Sequence, residues 1–363
     1  MSPDRRAQAS ALAKEGGFDA LAFVPGPNFR YLSGLDFHLM ERPTVMFVTA
    51  EGEVLAIMPE LERSKWREAF PDAQTFFWQD SDGYADAFQA CAKVLRGSVG
   101  VEGMRMRMFE FEALERVMPQ GAVQDAERVL AELRVCKEPE HIDALRKAIQ
   151  ISEAALADLI ASARAGDSEA ELVARLKRAM LDHGAEAFAF DPIVLSGPNS
   201  ADPHGTPGDR QVRPGEPLLI DFGAAYGGMN ADITRTFFCG HVPDEFRDIY
   251  ETVQAANERG KQIAQPGATC DDVDRETTAV LASSAYADMI VHKTGHGLGM
   301  DVHEAPQVMV GNETALRPGM VITIEPGLYR AGQIGVRIED DVLITETGMD
   351  CLTSYPREVQ CFD

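Results

Sequence analysis

Positive charge is scarce in this chain: 34 Lys and Arg stand against 58 Asp and Glu, for a formal charge of -24. A face basic enough to hold nucleic acid or an anionic membrane is therefore not expected, and the acidic surplus reads as a solvated surface. Long apolar runs are missing too. None approaches the ~18 residues of a membrane span, and Met1–Gly17 alternates charged and small residues without the apolar core of a signal peptide. The six cysteines, Cys91, Cys136, Cys239, Cys270, Cys351 and Cys361, form no CxxC pair. That excludes a zinc ribbon and a thioredoxin-type centre, and reads as free thiols in a reducing cytoplasm. What remains is a soluble globular composition, 45% hydrophobic and 25% charged, and at 363 residues enough chain for two domains.

Acids inside apolar runs carry the functional signal. Leu218-Leu219-Ile220-Asp221 and Ala231-Asp232-Ile233-Thr234 flank Tyr226-Gly227-Gly228, whose adjacent glycines supply the positive φ of a tight turn, so the stretch reads as a β-hairpin. Asp221 and Asp232 lie at nearly equal distances from that turn, and antiparallel pairing would set them side by side, with Cβ atoms roughly 5 Å apart if directly opposite. Two carboxylates at that spacing repel, and something positive has to lie between them: nearby Arg235, or divalent metal. Val321–Gly327 and Gly335–Ile344 also carry acids among hydrophobic neighbours, Glu325 and Glu339, about the turn Arg330-Ala331-Gly332-Gln333. That is a second hairpin of the same kind. Ahead of it, His292, His296 and His303 crowd one glycine-punctuated run.

These blocks are DFG with a second Asp eleven residues later in ADITRTF, then HKTGHGLGMDVHE, TIEPGLY and VRIEDD. In that order they resemble the pita-bread metallopeptidases, and within them the Xaa-Pro peptidases, prolidase and aminopeptidase P. The resemblance covers most of the chain. It implies an α+β fold: a C-terminal pita-bread domain with a curved antiparallel sheet (141–363), a helical linker (125–140) and a smaller N-terminal α/β domain (1–124). It implies that Asp221, Asp232, His296, Glu325 and Glu339 hold two divalent ions, with Asp232 and Glu339 bridging, Asp221 on one ion, and His296 and Glu325 on the other. Such hard oxygen donors suit Mn²⁺, with Co²⁺ or Zn²⁺ as alternatives. The implied reaction is hydrolysis of the imide bond of Xaa-Pro dipeptides by a hydroxide shared between the metals. Glu325 would handle the proton, His303 would stabilise the oxyanion, His292 would stand beside the substrate, and Arg337 would anchor the carboxylates.

Two departures from the family bear on the substrate. Met229 stands where the hairpin usually carries Tyr. Gln307 follows His303-Glu304-Ala305-Pro306, where prolidases carry an Arg that holds the dipeptide's carboxylate. A neutral amide does not replace a bidentate cation. An aminopeptidase acting on longer Xaa-Pro peptides is therefore the alternative reading, with a non-peptide hydrolase or lyase on the same fold behind it.

The remaining chain reads as scaffold. Arg5–Glu15 patterns as a helix, Ala20–Val24 as a strand, Thr44–Met58 as a hairpin turning at Glu51-Gly52, Ser98–Val101 as a strand and Met106–Val117 as a helix. Asn28–Gly34 resembles the NxxYLTG signature of the family's N-terminal domain. The loop after it carries Asp36, His38 and Arg42; in prolidases the equivalent loop reaches toward the partner's active site, which implies a homodimer in which these three meet substrate. Asp125–Lys137 reads as an amphipathic helix, and Pro139 opens another over Glu140–Ala165. Ser168 and Glu171 form a capping box for a helix that Gly184 ends. By resemblance, Phe190 and the His204 of Pro203-His204-Gly205 face the substrate. Asp244–Ala264 and Asp271–Ser284, the latter capped by Thr269, read as helices covering a sheet.

Overall fold

The computed structural model describes residues 3–363; Met1 and Ser2, the start of the segment read for a leader, lie outside the described residues. The chain divides between Arg134 and Val135 into two compact units.

In the N-terminal unit, β1 (Ala20–Phe23), β2 (Val45–Thr49), β3 (Val54–Pro59), β4 (Gln74–Trp78), β5 (Val99–Val101) and β6 (Val123–Asp125) form one sheet of order β4-β3-β2-β1-β5-β6. The β1–β2 and β2–β3 pairs are antiparallel and the others parallel. Every residue of β1 and β2 is buried, because both faces of the sheet are covered. Ala20, Ala22, Phe47 and Ile57 pack with Phe88 and Leu114 on one side. The NFRYLSG stretch is the helix Pro27–Ser33, closed by Gly34 at φ 72°. The Asp125–Lys137 segment departs from the single helix its pattern suggested. Its first residue ends β6, and Leu130 and Leu133 are buried by a one-turn helix, Glu127–Leu130, and a 3-10 turn, Ala131–Leu133.

The C-terminal unit contributes β7 (Ala187–Phe188), β8 (Ile193–Ser196), β9 (Pro217–Phe222), β10 (Ala224–Tyr226), β11 (Met229–Asn230) and β12 (Ile233–Cys239). After two helices come β13 (Gly295–Gly297), β14 (Glu304–Val308), β15 (Val321–Ile324), β16 (Gly327–Arg330), β17 (Ile334–Arg337), β18 (Asp340–Ile344), β19 (Met349–Cys351) and β20 (Cys361–Phe362). They form sheets of order β20-β12-β9-β8, β11-β10-β7, β14-β13-β15-β18-β19 and β16-β17. Four helices pack on them. Pro139–Ser162 carries Pro139 in its first turn, Glu169–Asp182 begins at the Ser168/Glu171 capping box, and Cys270–Ala282 is capped by Thr269; Asp244–Ile263 is the fourth. Leu145, Ile149, Leu156 and Leu159 of the first join Ile220, Phe222 and Ala224 in the core, each such burial contributing about 1.5–3 kcal/mol before chain entropy is charged against it.

Both acidic hairpins form. In the first, Gly227 and Gly228 take φ 57° and 80°, the two positive values of a two-residue type I′ turn. The ladder then runs from Tyr226↔Met229 to Thr234↔Asp221 and beyond. This register differs from the side-by-side expectation: Thr234 lies opposite Asp221, and Asp232 is its diagonal neighbour on the same face. The reason is the turn centre, which falls between the two glycines and shifts the pairing by one step. Gly223 allows the strands to close there, since a Cβ on it would stand 1.7 Å from the Ala231 carbonyl oxygen. In the second hairpin the tip pairs Gly327↔Arg337 and the base pairs Ile324↔Asp340. Glu325 and Glu339 fall in the gap between those two ladders, opposite one another.

Candidate active site

The two hairpins meet at Thr234. Its hydroxyl donates to Glu339 Oε2 (2.6 Å) and accepts from Arg337 Nε (3.0 Å), while its carbonyl accepts from the Glu339 N–H (3.1 Å). Strand alternation therefore turns Thr234, Asp232 and Asp221 to one face and Arg235 to the other. Arg235 is not the counter-charge of the two aspartates. It runs behind the site to Asp340 (2.7 Å) and to the carbonyls of Glu339, Tyr355 and Pro356. Asn257, on the helix Asp244–Ile263, holds the two glutamates level by donating to the carbonyls of Ile324 (2.9 Å) and Ile338 (3.3 Å), the residues before each.

On the site face, oxygen or nitrogen atoms of Asp221, Asp232 and Glu339 lie within 4.8 Å of one another, as do those of His296, Glu325 and Glu339, and those of Asp232, His296 and His303. Glu339, Asp232 and His296 thus each belong to two groups, and Glu339 is the member shared by the Asp221 group and the Glu325 group. Burial, then the neighbouring acids, push the Asp232 and Glu339 carboxyls well above the usual carboxylate range, and burial lifts Glu325 to about 7 against the pull of Arg337. Among the described residues, Arg337 is the cation hydrogen-bonded into the wall, donating to Asp221 Oδ2 (2.5 Å) and Tyr329 OH (2.7 Å). A single guanidinium cannot balance four ionised acids.

Three observations fit this wall to divalent cations. Asp221 Oδ1 is buried without a hydrogen-bond partner among the described residues. His296 is neutral, its pKa pushed down to about 3 by burial and by His303 nearby. Its Nδ1 lies 3.1 Å from the Gly297 carbonyl, which fixes the proton there and leaves the Nε2 lone pair facing Glu325 Oε1 at 3.3 Å and Asp232 Oδ2 at 3.8 Å. A lone pair aimed at two carboxylates is repulsive unless a cation lies between them. The donors are oxygens and one imidazole, the chemistry of a hard or borderline divalent ion.

The wall closes one side of a cavity of about 890 Å³, also lined by Phe190, Ile193, Pro203, His204, Val291, His292, Lys293, Asp301, Val302 and His303. Its apolar part suits a small ring or side chain, and its volume a short peptide.

The sequence profile of metallopeptidase family M24 matches residues 143–346, and that of the creatinase/prolidase N-terminal domain matches residues 5–136. The chain belongs to metallopeptidase family M24. It has that family's α+β pita-bread architecture behind a creatinase-like N-terminal domain. It is 34% identical to the probable dipeptidase PepE of Mycobacterium tuberculosis over 98% of this chain and 95% of that one, and 34% identical to the Xaa-Pro dipeptidase of Pyrococcus horikoshii over 95% of each. Among solved structures, the prolidase from Thermococcus sibiricus matches with a TM-score of 0.93 at 33% identity over 100% of both chains.

In this M24 peptidase, Asp221, Asp232, His296, Glu325, Glu339, Arg337, His292, His303, His204 and Phe190 come together around one cavity. Asp36, His38 and Arg42 are not among its lining. They belong to the N-terminal unit, where Arg42 is held by Asp80 (2.7 Å) and Glu41 (2.6 Å). Met229 is buried in the core and lines no part of the cavity. His292 has both nitrogens engaged: Nδ1 lies 2.7 Å from the Lys293 carbonyl and Nε2 2.9 Å from Tyr329 OH. The carbonyl fixes the proton on Nδ1, so Tyr329 donates to Nε2 while accepting from Arg337. Tyr329, Thr234, Asn257 and Lys293 went unassigned at the sequence level. Tyr329 closes the TIEPGLY block and Lys293 stands inside HKTGHG, so both were within reach of a motif reading. The Asn257 contact, from a distant helix, carried no signal.

Proposed function

We propose that this protein is a metal-dependent Xaa-Pro dipeptidase. The observation that carries the reading is the convergence of two hairpins and one histidine strand on a single buried wall, with Glu339 common to the group of Asp221 and Asp232 and the group of His296 and Glu325. Asp221, Asp232 and Glu339 would hold one ion, and His296, Glu325, Glu339 and Asp232 the other. Mn²⁺ suits this oxygen-rich set best. Bound there, divalent ions supply Lewis-acid polarisation and acidify water to a nucleophile near neutral pH.

The chain's own residues do the rest. The proline nitrogen leaves as a secondary amine, so it has to gain a proton as the bond breaks. Glu325, a carboxylate in the ligand cluster facing the cavity, would take the proton of the attacking water and pass it to that nitrogen. His303 reaches the same space, its ring 4.0 Å from that of His296, and donates to the oxyanion that develops on the scissile carbonyl. Phe190, Ile193 and Val302 offer apolar surface to the pyrrolidine ring. Arg337, Tyr329 and Thr234 fix the carboxylates in place.

The reading extends to a homodimer whose 36–42 loop meets a second subunit's cavity, and to a reducing cytoplasm, in keeping with six unpaired cysteines. Proline release from Xaa-Pro dipeptides, set against cleavage of Xaa-Pro-Yaa, tests the activity; preference for the longer peptides would move it to the aminopeptidase class. Sedimentation tests the dimer.

A further inference from the structure

The substrate reading, on which this inference rests, leaves one demand unmet. A free dipeptide brings a carboxylate three bonds from the scissile carbonyl, about 3–4 Å away, into a cavity already rich in acids. Gln307 cannot hold it. Arg337 is committed to Asp221, Thr234 and Tyr329 and is buried among them.

We propose that Lys293 is the carboxylate anchor, and that Gln307 serves to aim it. Lys293 lines the cavity beside His292 and Val291. Its ammonium donates to Gln307 Oε1. Gln307 is the register partner of His296 across β13 and β14, so the two side chains share a face with Cβ atoms roughly 5 Å apart. That places the Lys293 ammonium within one residue's span of the ligand cluster, on the strand side of the cavity. The Gln307 amide is itself fixed, donating from Nε2 to the Glu304 carbonyl (3.3 Å).

Charge accounting points the same way. Two divalent ions balance Asp221, Asp232, Glu325 and Glu339, and Arg337 is held in the wall by Asp221, Thr234 and Tyr329. Lys293 has no ion pair among the described residues: its partner is a neutral amide, which positions the ammonium without cancelling it. An ammonium held in this way is a receptor for an incoming carboxylate. Where an Arg at position 307 would bind substrate directly, a Gln there steers a cation that arrives from the loop leading into β13. The specificity consequence is a preference for peptides that end at proline.

The test compares alanyl-proline with alanyl-prolinamide, which differ in that carboxylate alone. Wild-type protein is expected to favour the free acid in kcat/KM. Lys293→Met should lower kcat/KM for the acid about 10- to 100-fold, the scale of a lost charge-assisted hydrogen bond, through KM, while the amide changes less than threefold. Lys293→Arg should retain the preference. Gln307→Glu should abolish it with the lysine still present, by converting a steering amide into a neutralising partner. Calorimetric titration of the chelated protein with both peptides adds a readout free of turnover, in which the acid's advantage should disappear with Lys293→Met. Equal losses for acid and amide, or an acid preference surviving both Lys293→Met and Gln307→Glu, would overturn the anchor while leaving the dipeptidase reading intact. Failure of wild-type protein to release proline from alanyl-proline would instead count against the function itself.

Discussion

Replacing Asp340 with alanine should be among the most damaging single changes in the C-terminal unit. Asp340 has no exposed surface, and three cations converge on it: Arg235 at 2.7 Å, Lys261 at 2.9 Å and Arg357 at 2.6 Å. Burial alone would raise its pKa, but those charges override it and hold the carboxyl at about 2. Arg235 and Lys261 are themselves almost fully buried. Removing the acid strands their charges, a defect that costs about 3–5 kcal/mol when one partner of a buried pair is lost. Arg235 keeps its carbonyl partners, which argues for the lower end of that range. At about 2–4 °C per kcal/mol for a unit of this size, the melting temperature should fall by about 10 °C. Arg235 also donates to the Glu339 carbonyl, so metal affinity should fall with it. Calorimetry measures the loss. Trp66 and Trp78, the chain's two tryptophans, both lie in the N-terminal unit and give an internal fluorescence control. An Asp340→Ala protein within 1 kcal/mol of wild type would show that the cluster is dispensable and refute the reasoning.

His303→Ala should lower kcat by about 10²- to 10³-fold, the scale of one oxyanion donor, with the metal content unchanged; loss of metal would make His303 a ligand instead. Glu102, buried in the N-terminal unit where it accepts from the Val24 N–H and from Asn28, is raised by burial from about 4.5 to about 7. The folded state therefore binds its proton more tightly than the unfolded chain. Its contribution is fully present below pH 4.5 and is lost as pH rises through 7, a change of about 3 kcal/mol. Urea unfolding followed by tryptophan fluorescence should show that decline relative to Glu102→Gln, and parallel pH profiles for the two proteins would contradict it.

The site was legible where chemistry violates propensity. An acid ending an apolar strand, as Asp221 and Glu325 do, is costly enough that its presence signals a reason, and paired glycines announce the turn that folds two such strands together. The register of the first hairpin was less accessible. A shift of one step moves Asp232 from opposite Asp221 to its diagonal, and only the turn's φ values decide between them. The role of Arg235 was hidden for a related reason, since strand alternation sends it to the far face, onto an aspartate a hundred residues away in the chain. Asn257 acts through contacts that close only in three dimensions. The segment after β6 misled because its apolar spacing is met equally well by two short turns.

Metal stoichiometry and proline release, measured on the same preparation, test the central claim most directly. Two equivalents of divalent metal per chain are expected, with hydrolysis of Xaa-Pro dipeptides that disappears on chelation, returns with Mn²⁺, and is absent beyond metal rescue in Asp232→Ala and Glu339→Ala. Full turnover of an Xaa-Pro dipeptide by protein shown to be free of metal would contradict the account.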